Sequence, residues 1–255
     1  MSNSTIPRTP WPPAFPEIVV HSSETRRNED ADFVAAKSGD LQAALRLAVR
    51  LISPEATIQL AFADYVDAML LPVTALETTG FNAIPDAMAR LIGAFTGYPV
   101  LDGVIVQANR VGHTRSTGWH RIVTPAVFEG PVEPGRNYIL VDDHVGLGGT
   151  LANLRGHVEA GGGRVVAMTT LSESRDARTI AVRPDTLSLL RLRHGQELED
   201  FWQAVFGHGL DCLTNVEAAY LARQLSVEII GTRMAAAAEQ ARRRGLPTIV
   251  LQAGG

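Results

Sequence analysis

A chain of 255 residues, 45% hydrophobic and with a formal charge of −4, is long enough for one large domain with appendages and a sizeable core. That charge balance excludes the broad basic footprint of a nucleic-acid binder or of a protein held on an anionic membrane, and no run approaches the ~18 apolar residues of a membrane span. The lone Cys212 makes no internal disulfide and no basic-then-apolar leader opens the chain, which together predict a reducing, cytoplasmic setting.

Residues 1–17 contain Pro7, Pro10, Pro12, Pro13 and Pro16 and read as an extended arm without a core of its own. Such an arm can pack on the body or on a second copy in a homodimer. Residues 18–64 read as an N-terminal helical addition. Within it Ile18–Val20 predicts a short strand, and Ala31–Ile52 predicts two helices broken at Ser38-Gly39-Asp40, with Asp40 as N-cap of the second.

Strands and helices then alternate over residues 65–175. Ala68–Val73 predicts a buried strand, Thr74–Ala83 a turn, and Ile84–Phe95 a helix with Pro85 in its first turn. Val104–Gln107 reads as a strand, Ala108–Trp119 as a long mobile loop, and residues 120–128 as a returning strand. Tyr138–Val141 is an apolar strand and Leu151–Ala160 a helix ended by Gly161-Gly162-Gly163; Arg164–Leu171, rich in Val and Thr, is a further strand. This alternation predicts an α/β fold with a mostly parallel sheet, whose ligands bind at the carboxyl ends of the strands. Residues 176–255 change character. Residues 184–206 and 214–244 read as helices of a cap or subdomain, Thr214 with Glu217 fits a capping box, and Leu246–Gln252 reads as a last edge strand.

The most informative stretch lies between the strand at Tyr138 and the helix at Leu151. Two carboxylates, Asp142 and Asp143, are followed by Gly146, Gly148 and Gly149, and Thr150 opens the helix. Glycines let a backbone approach an anion with its N–H groups exposed, and a helix N-terminus adds partial positive charge there. The acidic pair can accept hydrogen bonds from sugar hydroxyls or hold a hydrated metal.

Ile139-Leu-Val-Asp-Asp-His-Val-Gly-Leu-Gly-Gly-Thr-Leu151 resembles the phosphoribosyl-diphosphate signature of type I phosphoribosyltransferases. The resemblance implies a Rossmann-like type I phosphoribosyltransferase core with N-terminal and C-terminal, mainly helical additions. It implies a catalytic Asp142 and Asp143 facing the ribose hydroxyls and the Mg2+ ion, and a substrate loop of Val145, Gly146, Leu147, Gly148, Gly149 and Thr150 around the 5′-phosphate. The loop after Val73 would supply Thr78, Thr79 and Gly80 to the diphosphate. Residues 112–121 would form a closing loop whose Arg115 and Arg121 neutralise the leaving pyrophosphate, with His113 and His120 as hydrogen-bond donors. Two departures stand out: Gly146 and Leu147 replace hydroxyl residues common in such loops, and His144 follows the acidic pair. The implied ligand is phosphoribosyl diphosphate or a nucleoside monophosphate, and the implied acceptor a nucleobase.

Other readings of the motif fit less well. Gly146-Leu-Gly148 begins a dinucleotide fingerprint, but Leu151 stands at its third small position and the acidic residues precede the loop. No lysine follows the glycines, as a P-loop needs. A plain strand–turn–helix would leave two adjacent carboxylates without a purpose. The function class also has an alternative: a non-catalytic nucleotide-binding regulator, or a partner of a second protein, on the same fold. Elsewhere the residue types point to structure. Cys212, Trp119, Phe201, Trp202, His194 and His208 read as packing, His144 as a hydrogen-bonded scaffold residue, and Ser172 lacks the glycines of a nucleophile elbow.

Overall fold

The computed structural model of the protein describes residues 7–63, 65–77, 80–111 and 117–249, with the backbone alone at 76 and 77. β1 (Val19–Val20) leads into α1 (Glu24–Glu29) and α2 (Phe33–Lys37). The chain turns at Gly39, and α3 (Leu41–Leu51) begins at Asp40, whose carboxylate accepts the Ala43 N–H at 3.0 Å. α4 (Pro54–Phe62), β2 (Ala68–Pro72) and the short antiparallel pair β3 (Leu76–Glu77) and β4 (Gly80–Phe81) follow. α5 (Ile84–Thr96) carries Pro85 in its first turn and ends at Gly97, in the left-handed region. Then come β5 (Val106–Gln107), α6 (Gly118–Val123), β6 (Phe128–Glu129), β7 (Asn137–Val145), α7 (Gly149–Ala160) and β8 (Arg164–Glu173). The last third is α8 (Pro184–Phe206), broken at Gly195, then α9 (Asn215–Ala222) and α10 (Val227–Arg243). The capping box of Thr214 and Glu217 is formed at the start of α9. No helix among the described residues is long and apolar enough to cross a membrane.

The architecture is mixed α/β around a four-stranded parallel sheet in the order β1-β8-β7-β2. One sheet face presents Ile139, Val141, Ala167 and Leu171 to α3 and α5. The other presents Tyr138, Leu140 and Met168 to Leu151, Leu154 and Val158 of α7. A third core joins α6 to α8–α10 around Trp202, Leu198 and Met234. The arm lies on its own chain: the Trp11 indole N–H donates to the Leu213 carbonyl at 2.7 Å, and the Arg155 guanidinium stacks 4.4 Å from the Trp11 ring centre.

Three elements differ from the sequence reading. Residues 120–128 are not a strand; α6 occupies 118–123 and only Phe128–Glu129 pairs, with β5. The buried residues Trp119, Ile122 and Val123 follow helical spacing, and the Thr117 hydroxyl caps the first turn by accepting the His120 N–H. β7 does not end at Val141; pairing with β8 carries it through His144↔Ser172 and Val145↔Glu173. Residues 246–249 form no strand; the Leu246 N–H donates to the Ala241 carbonyl at 3.0 Å and the Ile249 N–H to the Val123 carbonyl at 2.9 Å, and 250–252 lie outside the described residues.

Candidate functional site

The carboxyl ends of β7 and β8 bring the acidic pair, the glycine loop and the start of α7 together. Asp142 and Asp143 are each 6% exposed, so both carboxylates sit inside the fold rather than on a rim. Asp142 accepts the backbone N–H of Asp143 at 2.8 Å. Asp143 accepts from the Lys37 ammonium at 2.7 Å. These partners split the pair electrostatically. Burial, followed by the neighbouring Asp143 charge, pushes the Asp142 carboxyl well above the usual range. Burial also works to raise Asp143, but Lys37, with Arg27 and His144, outweighs it and leaves that carboxyl below its ordinary value. One carboxylate is held ionised by a lysine, while its neighbour resists ionisation.

Lys37 reaches Asp143 because α2 ends against the loop after β2. A side chain at Gly80, where φ is +135°, would stand 2.6 Å from the Ser38 carbonyl oxygen, so that loop lies directly on the end of α2. Gly80 therefore serves a close backbone approach. Thr78 and Thr79, named with it, lie outside the described residues, as do Arg115 and His113.

His144 sits between two hydroxyls. Its Nδ1 is 3.0 Å from Ser172 Oγ and its Nε2 is 3.1 Å from Ser174 Oγ. Ser172 in turn accepts from the Arg27 guanidinium at 2.7 Å. Burial, then the Arg27 charge, lowers the His144 pKa to about 4, so the ring is neutral at physiological pH.

The glycine loop runs from Val145, which is buried, through half-buried Gly146 and Leu147 to Gly148, the N-cap of α7. Gly148 has φ +83° and no capping side chain, which leaves the first N–H groups of α7 available to an anion. A side chain there would also meet Ile180 Cδ1 at 2.4 Å. Thr150 lies half-buried in the first turn of α7. The Leu147 carbonyl accepts the Thr214 hydroxyl, so the C-terminal third is latched onto the loop. Arg121 Nη1 stands 2.5 Å from where a side chain at Gly146 would begin. His120 is buried, with Nε2 3.0 Å from the Val111 carbonyl oxygen.

Beside the start of α7 lies a small cavity of about 20 Å³, room for one water, lined by Arg8, Arg121, Thr150, Asn153, Trp202 and Glu217. Arg8 of the arm pairs there with Glu217 at 2.7 Å and donates to Asn153 at 2.7 Å. Arg8, Arg27, Lys37 and Ser174 were not legible as site residues. Lys37 and Asp143 are 106 positions apart, and no local pattern marks such a pair.

The donor set does not fit a magnesium ion bound directly by both carboxylates. Asp143 is already charge-paired with Lys37, and Asp142 already accepts the Asp143 N–H. Among the described residues, no group of three or more Asp, Glu, His or Cys could hold a metal ion.

No family model matches the chain. A protein named TraN from Escherichia coli is 38% identical over 244 residues, covering 95% of this chain and 54% of the relative. An uncharacterized protein of Haemophilus influenzae is 34% identical over 152 residues, covering 59% of this chain and 34% of the relative. The chain thus spans about half the length of the first and about a third of the second. Solved structures similar to it include an adenine phosphoribosyltransferase at 19% identity and TM-score 0.32, covering 54% of this chain and 71% of that one. The adenine phosphoribosyltransferase of Saccharomyces cerevisiae is 16% identical at TM-score 0.31, covering 53% and 69%. The UMP synthase of Leishmania donovani is 16% identical at TM-score 0.29, covering 53% and 26%.

Proposed function

We propose that the chain binds a phosphorylated ribose across the carboxyl ends of β7 and β8 and acts as a phosphoribosyltransferase on phosphoribosyl diphosphate. The observation that carries this reading is the passage from a buried carboxylate pair, through a glycine loop, into a helix whose N-terminus has no capping side chain. Asp143, kept ionised, accepts from a ribose hydroxyl. The N–H groups of Val145 to Thr150 take the 5′-phosphate. The loop after β2, with Lys37 beside it, faces the diphosphate. Departure of pyrophosphate builds positive character at the anomeric carbon and negative charge on the leaving group. The protein supplies position and charge rather than a covalent partner. A nitrogen of a nucleobase is the acceptor.

The test is the double substitution Asp142→Asn with Asp143→Asn, assayed for pyrophosphate release with each common base. The expected result is loss of turnover with the fold retained by circular dichroism. Turnover at the unsubstituted rate in that variant would remove the assignment.

One observation favours a second reading, a binding module without turnover. The Lys37 ammonium already holds Oδ2 of the Asp143 carboxylate, which restricts how that group can follow a reacting ribose. Isothermal titration with phosphoribosyl diphosphate and nucleoside monophosphates, run beside the release assay, separates the two: binding without release with any base selects the module.

A further inference from the structure

We propose that Arg121 and Ser174 form the phosphate-recognising wall of the glycine loop, replacing the hydroxyl side chains that Gly146 and Leu147 lack. This deepens the reading above and rests on it: the ligand is the phosphomonoester end of a ribose phosphate.

Gly146 does not lie in the left-handed region, so its backbone angles do not require glycine. The space beside it is taken by the movable end of the Arg121 side chain. A Cβ at this position would stand 2.5 Å from Arg121 Nη1 and 3.8 Å from Ser174 Oγ. The groups that a loop side chain would have provided therefore arrive from two other elements, a guanidinium from α6 and a hydroxyl from the end of β8.

Both are held in place. Arg121 follows the capped first turn of α6, whose His120 ring is fastened to the Val111 carbonyl. It is half-buried, and burial lowers its pKa against the opposing effect of Glu24. Ser174 is tied to the loop through its backbone N–H, which donates to the Val145 carbonyl at 2.8 Å.

The hydrogen-bond order orients the Ser174 proton. A guanidinium can only donate, so Ser172 accepts from Arg27. Ser172 then has one proton to give. His144 Nδ1 lies at 3.0 Å and the Asp143 carbonyl at 3.4 Å, so the shorter bond takes it. With Nδ1 accepting, the neutral ring carries its proton on Nε2 and donates to Ser174 Oγ. Ser174 is left with its own O–H to donate outward to the phosphate. His144, unusual after an acidic pair, is thereby a positioning residue for that donor.

The experiment measures ribose 5-phosphate and phosphoribosyl diphosphate binding by isothermal titration. The proteins are the full chain and the variants Arg121→Met, Gly146→Ala, Ser174→Ala and His144→Gln. Arg121→Met removes the charge; Gly146→Ala keeps it but pushes the guanidinium aside, so a folding failure of one leaves the other informative. Each is expected to bind ribose 5-phosphate about tenfold or more weakly, the loss of a charge-assisted bond, and Ser174→Ala and His144→Gln several-fold more weakly and to the same extent as each other. Unchanged affinity in Arg121→Met and Gly146→Ala, with the unsubstituted chain binding, overturns this wall and leaves the ribose-phosphate reading standing. No binding of either ligand by the unsubstituted chain overturns both.

Discussion

The Lys37 ammonium lies 2.7 Å from the Asp143 carboxylate and fastens the end of α2 to the end of β7, across 106 positions of sequence. The Asp143 side chain is 8% exposed and that of Lys37 24%, so the pair is sheltered but not sealed. Lys37→Met leaves Asp143 inside the fold without its counter-charge. The expected cost is about 2 kcal/mol, below the ~3–5 kcal/mol of a fully buried pair because Lys37 keeps some solvent. The urea midpoint at neutral pH measures it. Because Lys37 holds the Asp143 pKa down against burial, the parent loses the pair's contribution as acid protonates Asp143, whereas in the variant protonation relieves a buried charge, so the deficit of the variant should shrink as pH falls.

Asp142 should behave in the opposite sense. Its folded pKa is raised, so its contribution is favourable below the unfolded value and is lost as pH rises through the folded one. Asp142→Asn keeps an oxygen to accept the Asp143 N–H and removes the buried charge. The single variant is expected to raise the melting temperature at pH 7–8 while weakening ligand binding. A lower melting temperature across that range would show that the carboxylate is stabilising as it stands.

Three histidines set the acid limit. His21, His144 and His208 each have pKa values lowered to about 4, with burial the largest cause in every case. The unfolded chain takes up these protons near 6.5, and the folded chain only near 4. Their contribution is therefore complete above about 6.5 and is lost as pH falls towards 4, at up to ~1.4 kcal/mol per pH unit for each ring. Urea midpoints across that window should show the loss, and His144→Gln should make it shallower by about one proton. An unchanged acid slope in that variant would place the proton uptake elsewhere.

The arm depends on one missing side chain. A Cβ at Gly156 would fall 1.7 Å from the Pro7 carbonyl oxygen, which is impossible without moving one of them. Gly156→Ala should lift the arm from α7 and free Arg8 from Glu217, whose side chain is 5% exposed. Limited proteolysis is the measurement: cleavage ahead of Trp11 should accelerate while the rest of the chain keeps its helical signal. Equal protection in parent and variant would mean the arm is not anchored at this point.

The local pattern carried much of the fold. Apolar runs marked β2, β7 and β8, Asp40 and Thr214 marked their helix starts, and the carboxylates, glycines and Thr150 marked the loop between β7 and α7, because each signal lies within a few neighbouring residues. The same locality explains the errors. Residues 120–128 are apolar enough for a strand, and only packing against α10 decided that Trp119, Ile122 and Val123 share a helical face. What surrounds the motif was decided by tertiary structure alone. Lys37 on Asp143, Arg27 on Ser172, Arg121 beside Gly146 and Arg8 on Glu217 all join segments far apart in the chain. Sequence determined that an acidic pair and a glycine-rich loop leading into a helix exist here. Which charges oppose them, and so which carboxylate ionises, depends on distances of a few ångströms that only the folded chain defines.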